Sequence, residues 1–263
     1  DFSIEKIHFF DNKNGLAMGG NAYQYGVAQC TEDGGLSWTL DTISQKIIND
    51  FDIVQDTIIG AGIDSYISRK QGLDLWQELR PSIYNNINGV IKIPKGYLLA
   101  SGIAYKNGSI LRLSNDLVLI DSIPFSGELN AIVRSYESHF HIAGYGQLHR
   151  TEDGGDTWQV NRQEGDNYQD MYFINQQIGW AVGDAGSILK TNNGGIDWSV
   201  QNKPTVHNKK QFASVHFSTE EDGIVAGKNG LVWITSDGGI SWLEVVDVPD
   251  YNYTCVFMLE NIA

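Results

Sequence analysis

The sequence predicts an all-β fold, a β-propeller of four-stranded antiparallel blades, on three observations. A motif of the form T-x-D/N-G-G-x-x-W recurs as TEDGGLSW (Thr31 to Trp38), TEDGGDTW (Thr151 to Trp158), TNNGGIDW (Thr191 to Trp198) and TSDGGISW (Thr235 to Trp242). The starts are separated by 120, 40 and 44 residues, a period near 40 with the first gap holding three periods. Each period contains short apolar runs bounded by glycine or Asx turns, which read as four strands. No segment carries apolar residues at i, i+3, i+4 and i+7 over three turns, so no substantial helix is expected.

The repeats follow in order along the chain. FFDNKNGLAMGG (9 to 20) leads into the first box, and IIGAG (58 to 62) with SRKQGLDLW (68 to 76) forms a weaker second unit that keeps Gly72 and Trp76. LLASG (98 to 102) and GSILRLSND (108 to 116) make a third unit without the tryptophan. SHFHIAG (138 to 144) opens the fourth, where His141 takes the place that Trp180 holds in the next repeat, which predicts packing between blades rather than a metal site. The fifth is the best formed, with MYFIN (171 to 175), GWAVG (179 to 183), GSILKT (186 to 191) and WSVQ (198 to 201). FSTEEDGIVAGKNG (217 to 230) begins the sixth, and YNYTCVFML (251 to 259) reads as one further first strand. Residues 1–263 are therefore read as a single propeller domain of six recognisable units, with a seventh, broken blade as the alternative.

The box residues are assigned to structure. An acid or amide (Asp33, Asp153, Asn193, Asp237) can accept the backbone N–H groups of its own turn. Glycines such as Gly35, Gly155, Gly195 and Gly239 supply positive φ without steric cost. The tryptophans (Trp38, Trp158, Trp198, Trp242) open the outer strand and bury a large ring whose N–H needs a partner. Thr31, Thr151, Thr191 and Thr235 complete the set.

Composition excludes several functions. Thirty-two acidic residues against eighteen basic ones give a formal charge of -14, which repels phosphate backbones, so nucleic acid is not an expected partner. No apolar stretch reaches the length of a spanning helix. Two cysteines, Cys30 and Cys255, are too few for a disulfide framework or a cysteine zinc site, and read either as small buried hydrophobes or as one bridge. No nucleophile elbow, P-loop or dinucleotide fingerprint occurs. No metal or cofactor is expected.

The four boxes match the Asp-box, or BNR repeat, of sialidases, some glucan hydrolases and sortilin-type receptors. The longer pattern from Phe173 to Trp198, F-x-x-x-x-x-G-W-A-V-G-x-x-G-x-I-L-x-T-x-x-G-G-x-x-W, resembles the repeat of the photosystem II stability and assembly factor family, the YCF48-like propellers. The resemblance implies an exported, non-enzymatic propeller that binds or helps to assemble a partner. The photosynthetic members are expected to use a basic, arginine-bearing face, whereas the six arginines here, at 69, 80, 112, 134, 150 and 162, are dispersed. The chain starts at Asp1, consistent with a trimmed product, and with the resemblance this gives a secreted, periplasmic or envelope-associated protein, read as a monomer.

A ligand is expected on the side opposite the box turns, where the loops between second and third strands meet the connections between blades. Tyr23, Tyr25, Tyr66, Tyr105, Tyr145, Tyr168 and Tyr251, with Asp170, are the candidate partner-binding residues there; tyrosines can stack on sugar rings or anchor a protein partner. Asp50, Glu164, Asp166, Asp170, Asp247 and Asp250 lie in the same connections, and a glycoside hydrolase needs two such carboxylates across a cleft. The expected function is a non-enzymatic scaffold for a protein partner. The alternative is a glycan-binding protein or carbohydrate-active enzyme of the glycoside hydrolase kind on the same fold. Of the enzyme variants, a sialidase is disfavoured, because the arginines lack the setting of a carboxylate-binding triad.

Overall fold

The glycine-bounded apolar runs fold into strands, twenty-two among the described residues, and the only helical element among them is a 3-10 turn at Ile63–Ser65. The computed structural model describes residues 2–81, 83, 85–103, 106–201 and 211–259. Two compact units result, Asp1–Leu129 and Asn130–Ala263.

The first unit holds three four-stranded antiparallel meanders. They are β1 (Ser3–Phe9), β2 (Gly15–Asn21), β3 (Tyr25–Thr31) and β4 (Thr39–Ser44); β5 (Ile48–Val54), β6 (Thr57–Gly62), β7 (Ile67–Gln71) and β8 (Gln77–Leu79); and β9 (Ile87–Ile93), β10 (Gly96–Ile103), β11 (Asn107–Ser114) and β12 (Leu119–Phe125). These are blades one to three of a β-propeller. Leu16, Met18 and Ala28 of the first pack on Ile48 and Phe51 of the second, and Ile59 and Ile67 of the second pack with Val90, Leu99 and Leu111 of the third. Polar groups on the innermost strands stitch the same interfaces. The Asp50 carboxylate accepts the Val90 N–H at 2.8 Å and lies 2.7 Å from Lys6 Nζ, while the Asn49 amide donates to Ile87 O at 2.8 Å. Burial raises the Asp50 pKa, opposed by Lys6.

The second unit holds a six-stranded sheet, β13 (Leu129–Tyr136), β14 (His139–Thr151), β15 (Gln159–Phe173), β16 (Gly179–Gly183), β17 (Ile188–Thr191) and β18 (Ser199–Val200), and a four-stranded one, β19 (Phe212–Phe217), β20 (Asp222–Gly227), β21 (Val232–Ser236) and β22 (Leu243–Glu244). Blades four and five share β15. Its first part pairs with residues 147–150 as the outer strand of blade four, and its last six residues pair with β16 as the inner strand of blade five. Trp180, Val182 and Ile188 of blade five pack on Phe212, Val215, Phe217 and Trp233 of blade six. Asn130 donates to Tyr168 O at 2.8 Å, repeating the asparagine link of the first unit.

The box turns are held as the sequence expects. The threonine Oγ1 of each accepts the N–H of the second glycine at 2.8–3.0 Å and donates to the acid or amide two residues on. That side chain in turn accepts the N–H of the residue before tryptophan at 2.9 Å. Hydrogen bonds from Ser37 and Ser241 hold the Asp33 and Asp237 carboxyls down at about 2. The first glycine of each pair donates to the turn between the first and second strands of its own blade, at Lys13, Ser138, Gln177 and Glu221. The box and that turn therefore share one side of the blade.

Two expectations need correction. The tryptophans do not all bury their rings: Trp38, Trp158 and Trp198 are half-buried on an outer strand, and only Trp242 is buried. The fully buried tryptophan rings are Trp180, on a second strand, and Trp233, on a third. Cys30 is exposed near the end of β3, on the strand face it shares with Ala28 but past the part of that face the core covers, and no disulfide joins it to Cys255. In the third repeat, which lacks the Gly-Gly pair, Leu117 makes the turn at φ 60° and buries its side chain in the core.

Candidate partner-binding face

Strand alternation places the second-to-third-strand loops and the blade connections together, opposite the box turns. In blade one, Ile47 N–H of the connection donates to Ala22 O of the β2–β3 loop. In blade five, the Asp184 N–H of the β16–β17 loop donates to Asn167 O. The candidate tyrosines can be placed against this frame.

In the first unit Tyr23 stands out, 68 % exposed. Lys46 Nζ sits 5.1 Å from its ring centroid and 3.7 Å from the Asp64 carboxylate, a cation–π contact beside an exposed ion pair, of modest energy. Tyr25 is half-buried. Asp64 and Ser65 both take positive φ, 53° and 59°, a conformation uncommon outside glycine and costly unless the surroundings fix it. They are fixed by the next connection: Asp64 N–H donates to Asn86 Oδ1, and the Ser65 hydroxyl donates to Asn85 O and accepts the Asn85 N–H at 2.9 Å. Tyr66 is buried under the Arg80 guanidinium, 3.8 Å from its ring centroid, so its ring supports this loop and presents little surface. Tyr105 lies outside the described residues.

In the second unit Tyr145 and Tyr251 are exposed, 49 % and 68 %. Tyr251 O accepts the Gly230 N–H at 2.9 Å, which fastens it to the β20–β21 loop, where Asn229 takes φ 57°. Tyr168 is buried, and burial pushes its hydroxyl up to about 12; as the first residue of an inner strand it points into the core. Asp170 is committed to the interface between blades, accepting the Ser214 hydroxyl at 2.8 Å and the Val215 N–H at 3.0 Å. Tyr168 offers little contact surface, and Asp170 is half-buried with one carboxylate oxygen committed to blade six.

The sequence did not mark a polar network around Asp184. Its carboxylate accepts Asn167 Nδ2 at 3.3 Å and Gln169 Nε2 at 3.0 Å, and Asn130 Nδ2 donates to Asn167 Oδ1 at 2.7 Å. Burial raises the Asp184 pKa, while the Asn167 bond and the Lys228 charge oppose the rise. Amides follow no spacing rule, so only the short loop at Asp184 hinted at it.

The connection carboxylates are structural where they can be followed. Asp50 and Asp170 staple neighbouring blades, and Asp166 accepts three backbone N–H groups, of Asn167, Ala185 and Ser187, at 2.6–3.0 Å. Asp247 and Asp250 are exposed, and the Glu164 side chain lies outside the described residues. A glycosidic pair would need two carboxylates free to face a substrate.

Comparison with known proteins agrees with the repeat reading. Residues 163–249 match the family model described as photosynthesis system II assembly factor YCF48. No curated protein matches the chain by sequence. Among solved structures, YCF48 bound to D1 peptide superposes with a TM-score of 0.68 at 18 % identity, covering 94 % of this chain and 82 % of that one. YCF48 from Cyanidioschyzon merolae gives 0.68 at 15 % identity, over 93 % and 85 %. The WD40 β-propeller domain of Doa1 gives 0.71 at 11 % identity, over 99 % and 88 %.

Proposed function

We propose that this YCF48-like β-propeller is a non-enzymatic scaffold that binds a protein partner through the connection side of its blades and acts outside the cytoplasm. The observation that carries the reading is the placing of exposed tyrosines beside loops held at positive φ, Tyr23 near Asp64 and Ser65, Tyr251 at Asn229, and Tyr145 before Gly146. Large aromatic rings on pre-set loops lower the ordering cost of binding and make good anchors. The structural roles of Asp50, Asp166 and Asp170 support binding over hydrolysis. A similar propeller has been solved with a peptide bound, which supports a polypeptide ligand. The formal charge of -14 favours a partner segment that carries lysine or arginine, with association that weakens as salt rises.

The test is capture of partners by the tagged chain from a native envelope fraction, run beside a glycan array. A protein retained at low salt, whose affinity falls by about tenfold or more for each anchor lost in Tyr23→Ala, Tyr145→Ala or Tyr251→Ala, is the expected outcome. Binding of a defined glycan with no protein retained would replace this reading by carbohydrate recognition.

A further inference from the structure

The polar network around Asp184 spends its donors and its acceptors unequally. Asn130 Nδ2 gives its hydrogens to Asn167 Oδ1 at 2.7 Å and to Tyr168 O at 2.8 Å. Gln169 Nε2 gives its own to Asn167 O at 3.4 Å and to Asp184 Oδ2 at 3.0 Å, and Asn167 Nδ2 reaches the same carboxylate oxygen at 3.3 Å. A backbone carbonyl or an ionised carboxylate can only accept, so each of these amides is fixed with its nitrogen turned into the network.

Three oxygens are left over. Asn130 Oδ1, Gln169 Oε1 and Asp184 Oδ1 accept no hydrogen bond from any described residue, and none of them is sealed from solvent. Their residues are half-buried. The cluster therefore presents acceptors to an incoming group, one of them charged. The exposed tyrosines of the second unit are linked to it. Tyr145 is the strand partner of Asn167, and Tyr251 is fastened to the β20–β21 loop whose Lys228 acts on Asp184 through its charge.

We propose that this cluster receives an arginine side chain of the partner polypeptide, its guanidinium donating to Asp184 Oδ1 and Gln169 Oε1, with Asn130 Oδ1 and the exposed Tyr145 beside them. The inference rests on the scaffold reading above and names the residues that read the partner. A guanidinium carries its donors in a flat fork and has no acceptor, so it meets planar oxygen acceptors and an aromatic neighbour better than an ammonium does. A divalent cation is a poorer match. Calcium takes about six to eight oxygens, and magnesium demands a near-ideal octahedron, whereas the cluster offers a single carboxylate with the Lys228 charge nearby.

The probe is the blocked peptide acetyl-Gly-Arg-Gly-amide, titrated into the full chain labelled with nitrogen-15 while the side-chain amide signals of Asn130, Asn167 and Gln169 are followed. Saturable shifts are expected, with affinity at least about tenfold lower when citrulline replaces arginine. Asp184→Asn, which keeps an acceptor for Asn167 and Gln169, should weaken the arginine peptide by at least about tenfold as well. Lys228→Gln, at an exposed site, removes a repelling charge and should tighten it by about twofold. The proposal is overturned by an arginine peptide that gives no saturable shift, or that binds no better than the citrulline or lysine peptide. Binding unchanged in Asp184→Asn would overturn it, as would shifts produced by calcium chloride and not by the peptide. The captured partner separates this proposal from the reading beneath it. Affinity lost in the tyrosine variants but unchanged in Asp184→Asn would overturn docking at Asp184 and leave the scaffold standing, whereas capture of a glycan alone would overturn the scaffold reading whatever the peptide does.

Discussion

Trp180→Ala is expected to destabilise the second unit by about 3–5 kcal/mol, the range for deleting a fully buried aromatic side chain. The ring is fully buried, stacked on Phe217 at 8° between planes, covered by Lys190 Nζ at 5.1 Å, and bonded through Nε1 to Gly238 O. Alanine removes the packing of blade five on blade six and leaves Gly238 O with Lys190 alone. Denaturant unfolding should show the loss in the transition of the second unit, and separate transitions for the two units would make it easier to assign. A change below about 1 kcal/mol would show that the ring is not an interface anchor. Trp198→Ala, in a half-buried ring that touches Phe173 edge-on at 5.9 Å, should cost less.

Acid sensitivity is the second large effect. His141 and His149 are buried in blade four, and burial lowers their pKa from 6.5 to about 3 and about 4. The unfolded chain takes up a proton near pH 6.5 that the folded chain refuses, so the stability contributed by each neutral ring is complete above pH 6.5. It is lost as pH falls toward the folded value. Between pH 7.5 and pH 5 each histidine should cost about 2 kcal/mol. His141→Phe keeps a flat ring over Phe173 but has no proton to gain, and it gives up the 2.9 Å contact with Ser135 Oγ. Its stability should therefore be somewhat lower at pH 7.5 and should fall about 2 kcal/mol less on going to pH 5. An identical pH dependence in the variant would contradict the burial of His141.

The fold was legible because its signals are local and repeated. Thr151, Asp153 and Gly155 close their turn with bonds spanning four residues, and a period near 40 then counts the blades. His141 was placed correctly by alignment with Trp180. Burial was harder to read. Tyr168 and Asp170 sit in a connection by sequence, yet the inner strand begins there, so one faces the core and the other staples the neighbouring blade. The asparagines at 49 and 130 repeat a link between innermost strands, but a single amide at a strand start carries no distinctive pattern. The Asp184 network was hidden for a related reason, since it joins residues 130, 167, 169 and 184 that meet only after folding.

Binding by the connection side is most directly tested by a hydrogen-exchange and side-chain labelling footprint of the captured complex. Protection of Tyr23, Tyr145 and Tyr251 with their loops at 64–65 and 229–230, while the box turns at 33–37, 153–157, 193–197 and 237–241 stay as reactive as in the free chain, is the expected result. Protection of the box turns, with those tyrosines left fully reactive, would contradict it.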